Sequence, residues 1–96
     1  MASALAGYAL TTTEEAIFVA SSDGGRCTEF FVHCRTGSAN PALVNVPGLH
    51  VSGEFAGIPA GESVIFKLGT LGIARVNAKG SGGAATIDAG VSARTP

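Results

Sequence analysis

Four side chains in this sequence have the chemistry to hold a metal or to act as nucleophile and base: Cys27, His33, Cys34 and His50. A structural zinc site usually needs four Cys or His ligands converging on one point, and these four are the whole supply. Three of them lie in CTEFFVHC (27–34), which reads as one extended strand. Neighbouring side chains on a strand point to opposite faces. Cys27 and His33 therefore fall on one face and Cys34 on the other, so neither a zinc site nor a Cys34–His33 catalytic pair is expected. Seven residues at about 3.3 Å each put the two cysteine Cα atoms about 23 Å apart, well beyond the roughly 7 Å limit for a disulfide. Two reduced thiols are expected, with a bridge to another chain left open.

The remaining chemical signals are weaker. GSGG at 80–83 resembles a phosphate cradle in composition, but such a loop needs a helix N-terminus after it. Here the strand-like AATIDAG follows, so a hairpin turn between two neighbouring antiparallel strands is expected. Glu14 and Glu15 sit at a strand start, where charge discourages unwanted sheet pairing. Glu54, Glu62 and Asp88 stand singly on polar faces, and no pair has the spacing for acid–base work. No catalytic residue, cofactor or metal is expected.

These residues must be positioned by strands, because the chain alternates with a period of two almost throughout. The clearest alternation runs from Leu49 to Phe55, with Leu49, Val51, Gly53 and Phe55 on one face. In 27–35, Thr28, Phe30, Val32 and Cys34 oppose Glu29, Phe31, His33 and Arg35. Similar patterns cover 63–68 and 84–91, and less regular strands are expected near 8–12, 16–20, 42–46 and 73–78. Between them stand SSDGG, TGSANP, PG, IPAG and KGSGG, in which glycine supplies positive φ and proline presets the first turn residue. About eight short strands at this spacing predict an all-β fold: a single antiparallel β-sandwich or small jelly roll. Residues 8–96 form that one domain, and the small, unpatterned residues 1–7 are expected to be a flexible arm.

Composition narrows the function. The chain has 96 residues, seven acids and six bases for a net charge of −1, and only 14% charged residues against a usual share of about 25%. The bases are scattered singly, so there is no basic stripe for nucleic acid and no polybasic membrane anchor. No window reaches the roughly 18–20 apolar residues of a membrane span. MASALAGYAL (1–10) lacks the positive start of a signal peptide, so cytoplasmic synthesis is expected. A chain of 9.5 kDa has proportionally much surface, and its shortage of charge implies that other protein covers part of it. The outward apolar residues are the candidates: Phe31 and Ile65 on the polar sides of their strands, and Ile17, Phe18 and Val19 in AIFVA, which is apolar on both faces. These five are the expected interface.

The ordered set ALTTTEEAIFVA (9–20), FFVHCRTGSANPALVNV (30–46), IPAGESVIFKL (58–68) and IARVNAKGSGGAATIDAGV (73–91) resembles small structural proteins of tailed bacteriophages. It departs from their pattern at Cys34, where an Asn is usual. The resemblance implies a noncatalytic β-sandwich of the virion, of the capsid decoration or cement type. Such a protein would be a homo-oligomer, with a trimer favoured, and would bind the major capsid protein between capsomers on the capsid surface. The alternative is a minor tail, neck or fibre-associated module that binds protein or carbohydrate. The absence of Trp and the single Tyr8 weigh against a sugar-stacking site.

Overall fold

Alternating apolar residues give each strand one side to bury, and two sheets that stack those sides together satisfy all of them at once. The computed structural model describes residues 5–94 and has this architecture. Its strands are β1 (Ala6–Leu10), β2 (Glu15–Val19), β3 (Cys27–Cys34), β4 (Ala42–Asn45), β5 (Ala56–Ile58), β6 (Ser63–Lys67), β7 (Arg75–Gly80) and β8 (Ala85–Arg94). The front sheet has the order β1-β8-β3-β6 and the back sheet β2-β7-β4-β5. Every pairing is antiparallel.

The pairings β1·β8, β2·β7, β3·β6 and β4·β5 are those of one long two-stranded ribbon folded at the β4–β5 loop. That ribbon wraps on itself, and β3·β8 and β4·β7 seal the two sheets. This connectivity is a jelly roll. Between the sheets lie Leu10, Phe30, Val32, Cys34, Phe66, Ile87 and Ala89 from the front, against Ile17, Phe18, Val44, Ile58, Val76 and Ala78 from the back. Phe18 and Phe30 meet across the middle with ring centroids 5.4 Å apart, tilted at 50°.

Three expectations are corrected. The 49–55 segment is not a strand: it lies in the β4–β5 loop, with Val51 71% exposed, and the neighbouring strand is the shorter β5. Gly48 and Gly53 take φ of +103° and +84°, which breaks the extended conformation. Two tight turns follow, closed by Leu49 N–H to Val46 O and Glu54 N–H to Val51 O. Asn45, the buried polar residue of the described chain, donates from Nδ2 to Val51 O at 2.8 Å and to Glu54 O at 2.7 Å. Side-chain amide bonds thus fold this loop against the end of β4.

KGSGG does not join paired strands, because β7 and β8 lie in different sheets. Its glycines let the chain cross between layers at close quarters. A Cβ on Gly80 would run into the Gly83 carbonyl, and one on Gly83 would lie 2.5 Å from Asn40 Nδ2. The cysteines do not face opposite ways either. Between Cys27 and Glu29 the register against β8 slips, so one extra residue, Thr28, turns Cys27 inward. Both thiols are buried in the core and free.

The expected arm at 1–7 falls partly on residues 1–4, which lie outside the described residues. Ala6 and Gly7 belong to β1 and pair with Ala89 and Asp88.

Truncating Phe18 or Phe30 to Ala removes one half of the central aromatic contact. Each change is expected to cost about 3–5 kcal/mol in urea unfolding. Asn45→Ala leaves two loop carbonyls unpartnered, at about 1–3 kcal/mol, and limited proteolysis should then cut within 46–55 before the strands.

Candidate interaction surface

The outward side of the front sheet is built in rows that run across its strands. Because β3 pairs β6 without a slip, Glu29 stands opposite Lys67, Phe31 opposite Ile65, and His33 opposite Ser63. On the other side of β3, Phe31 faces Gly90 and His33 faces Asp88. Phe31 is half-buried and Ile65 is 48% exposed, while Gly90 is buried. An aromatic ring beside a strand glycine is a recognised way of filling the gap that a missing side chain leaves. The result is a small apolar strip bounded by polar rows.

The row Asp88–His33–Ser63 places a carboxylate, an imidazole and a hydroxyl in line, and the sequence pattern did not single it out. His33 Nδ1 and Ser63 Oγ are hydrogen-bonded at 2.7 Å. Asp88, however, is committed elsewhere: Arg35 donates to it from Nε at 3.0 Å and from Nη2 at 2.6 Å. This bidentate bond holds the Asp88 carboxyl below its usual range and raises Arg35. The hydrogen bonds of the carboxylate thus go to Arg35, while the imidazole bonds Ser63, and the row forms a polar stripe across β8, β3 and β6. The guanidinium also extends over β1, where a Cβ on Gly7 would come within 2.7 Å of Nη2. Arg35, just past β3, thereby straps β3, β8 and β1 together.

The other predicted interface residues separate. Ile17 and Phe18 are not surface contacts, because both are buried in the core of this one chain. The cause is a bulge: the β2·β7 register slips between Ala16 and Phe18, and the extra residue Ile17 turns inward beside Phe18. A strand apolar on both faces therefore came from a bulge, a signal that plain alternation cannot carry. Val19 pairs with the exposed Arg75 and is half-buried on the outer side of the back sheet.

A second exposed apolar group was missed in the sequence. Leu49 and Val51 of the β4–β5 loop and Leu71 of the β6–β7 loop, which is 76% exposed, all stand out to solvent. Both loops occupy the same end of the sandwich, as the approach of Gly48 to Leu68 shows. A strand over 49–55 would put Leu49 and Val51 together on one face with Phe55, which hides that they stand out from a loop. The positive-φ glycines at 48 and 53 were the available clue.

The metal-type residues stay dispersed. Cys27 and Cys34 are in the core, His33 is on the front face, and His50 is in the β4–β5 loop, where its Nδ1 accepts from Val46 N–H at 3.0 Å. Among the described residues no three His, Cys, Asp or Glu side chains gather as a metal ion would require.

The chain is thus a jelly-roll β-sandwich with an apolar strip on one sheet and an apolar loop end. No family model matches it, and no curated protein matches it in sequence. A solved structure of disulfide-linked pili from Bacillus endospore appendages is similar, with a TM-score of 0.63 and 17% identity. The match covers 90% of this chain and 78% of that one. At that identity the likeness is one of fold.

The Arg35–Asp88 pair carries a pH signature. Asp88 has a lowered carboxyl in the folded state, so its contribution is present above the unfolded carboxylate range and is lost as pH falls through the folded value. Wild type should therefore melt slightly above Asp88→Asn at neutral pH, and the gap should close as the solution is acidified. Thermal melts of both proteins across pH check this.

Proposed function

We propose that this chain is a noncatalytic structural subunit that works as one of many copies in a larger protein assembly. The observation that carries this reading is the surface. Leu49, Val51, Ile65 and Leu71 are large apolar residues left open to solvent on a chain with only 14% charged residues. Exposed apolar patches mark interaction sites, and contact with other protein relieves both features together.

Within that class, the first reading is a capsid decoration protein that binds the major capsid protein between capsomers on a phage head. Its support is the ordered strand-and-turn pattern of the sequence. A protein that binds only the assembled lattice stabilises it by mass action, and many weak contacts multiply when one oligomer spans several subunits. The second reading, a filament subunit, draws its support from the fold shared with the pilus protein. The two cysteines bear on it, since both are buried and burial pushes the Cys27 thiol up. A filament of this chain would hold together by noncovalent contacts.

Sedimentation velocity at concentrations a hundredfold apart, with electron microscopy of the same samples, tests the proposal. Discrete oligomers fit the decoration reading, and a trimer would sediment near 28 kDa, three copies of 9.5 kDa. Filaments that survive reducing agent fit the second reading. A chain that stays monomeric throughout and decorates no shell overturns the structural-subunit proposal. Separately, both thiols should resist a maleimide reagent in the native protein and react fully in denaturant, read by mass spectrometry.

A further inference from the structure

We infer that the outer face of β3 and β6 is a two-fold docking surface for a second copy of the same chain. This deepens the self-associating reading above and rests on it. The argument is the row order. Along the two strands lie Glu29–Lys67, Phe31–Ile65 and His33–Ser63, each pair directly opposite in register. Consider a two-fold axis that runs parallel to the strands and midway between them. Such an axis lays β3 of one copy over β6 of the other. Glu29 then faces Lys67 of the second copy and Lys67 faces its Glu29. Phe31 and Ile65 meet apolar partners, and His33 meets Ser63. An isologous contact needs this kind of self-complementarity.

The alternative axis, running across the strands, sets Glu29 over His33 and Lys67 over Ser63 and leaves both charges without an opposite partner. Electrostatic complementarity therefore selects the first arrangement. Both charges are also available. Among the described residues the ion pair is Arg35–Asp88, so neither Glu29 nor Lys67 is consumed inside the chain. Arg35 and Asp88 lie toward β1 and β8, outside the overlapped strands, and keep their own bond in water. The contact is small. Two strands of five residues, at about 4.8 Å and 3.4 Å spacings, span only about 10 by 17 Å, against roughly 800 Å² per partner in a standard stable interface. Pairing is therefore weak in solution and depends on many copies acting together.

Charge exchange tests it. Glu29→Lys turns the facing pairs into Lys against Lys, and Lys67→Glu turns them into Glu against Glu. Each variant alone should associate at least fivefold more weakly than wild type in sedimentation equilibrium up to about 1 mM chain at low salt, where exposed charges act most strongly. An equimolar mixture of the two should associate at least as well as wild type, as a mixed pair near 19 kDa (two copies of 9.5 kDa). The double exchange in one chain should restore self-pairing. Circular dichroism confirms that each variant is folded, and both sites are on the surface. A wild-type oligomer that forms equally well from either single variant overturns this face as the contact and leaves the self-associating subunit standing. A wild type and a mixture that both remain monomeric at the highest concentration overturn the docking surface and the self-association together.

Discussion

The burial of two apolar sheet faces against each other is the constraint on which the rest of this structure depends. With no helix among the described residues, the core is a single layer of side chains between β-sheets that pack about 10 Å apart. Phe18 and Phe30 span that gap at 5.4 Å between centroids, and small residues such as Ala42, Ala78 and Ala89 fit around them. The inward sets of all eight strands must keep their parity for the layer to stay filled. A one-residue slip in any of them would swap core for surface.

Two bulges show how the chain meets that demand where alternation fails. In β2 the extra residue Ile17 brings two consecutive apolar side chains into the core. In β3 the extra residue Thr28 turns Cys27 inward, so both thiols join the apolar layer. The β3 bulge lies at the start of its strand and the β2 bulge in the middle of a short one, and each converts an outward position into core volume. The cost is borne by the surface: apolar residues that look available for contacts in β2 are spent inside. The large apolar residues that stay outward are Phe31, Ile65, Val19 and the loop-end group of Leu49, Val51 and Leu71.

Surface chemistry follows the same geometry. Strand register places Glu29, Phe31 and His33 at every second position of β3 and sets each against a defined neighbour. Arg35 lies just beyond the strand, donates to Asp88 of β8 and passes close over Gly7 of β1, an arrangement that requires β1, β3 and β8 to be adjacent. These strands are far apart in sequence and become neighbours only because the ribbon folds on itself. The polar rows on the front sheet are therefore products of topology, and they give that face its pattern of charge, apolar strip and hydrogen-bonding groups.

Alternation and turn chemistry made the all-β class, the two-layer core and seven of the eight strands legible in the sequence, because one buried face imposes a period of two on any strand. They also made Phe31 and Ile65 legible as outward residues. The connectivity was not legible, since alternation is the same whichever strands become neighbours; only closure of the ribbon separates a jelly roll from another sandwich. Nor were the bulges, for an inserted residue changes facing without changing composition. The 49–55 loop misled because its residues alternate in type, while the fold holds them by Asn45 amide bonds and two positive-φ glycines. Local pattern determined which residues prefer burial, and tertiary packing decided which of them reached it, because burial depends on what lies opposite in space.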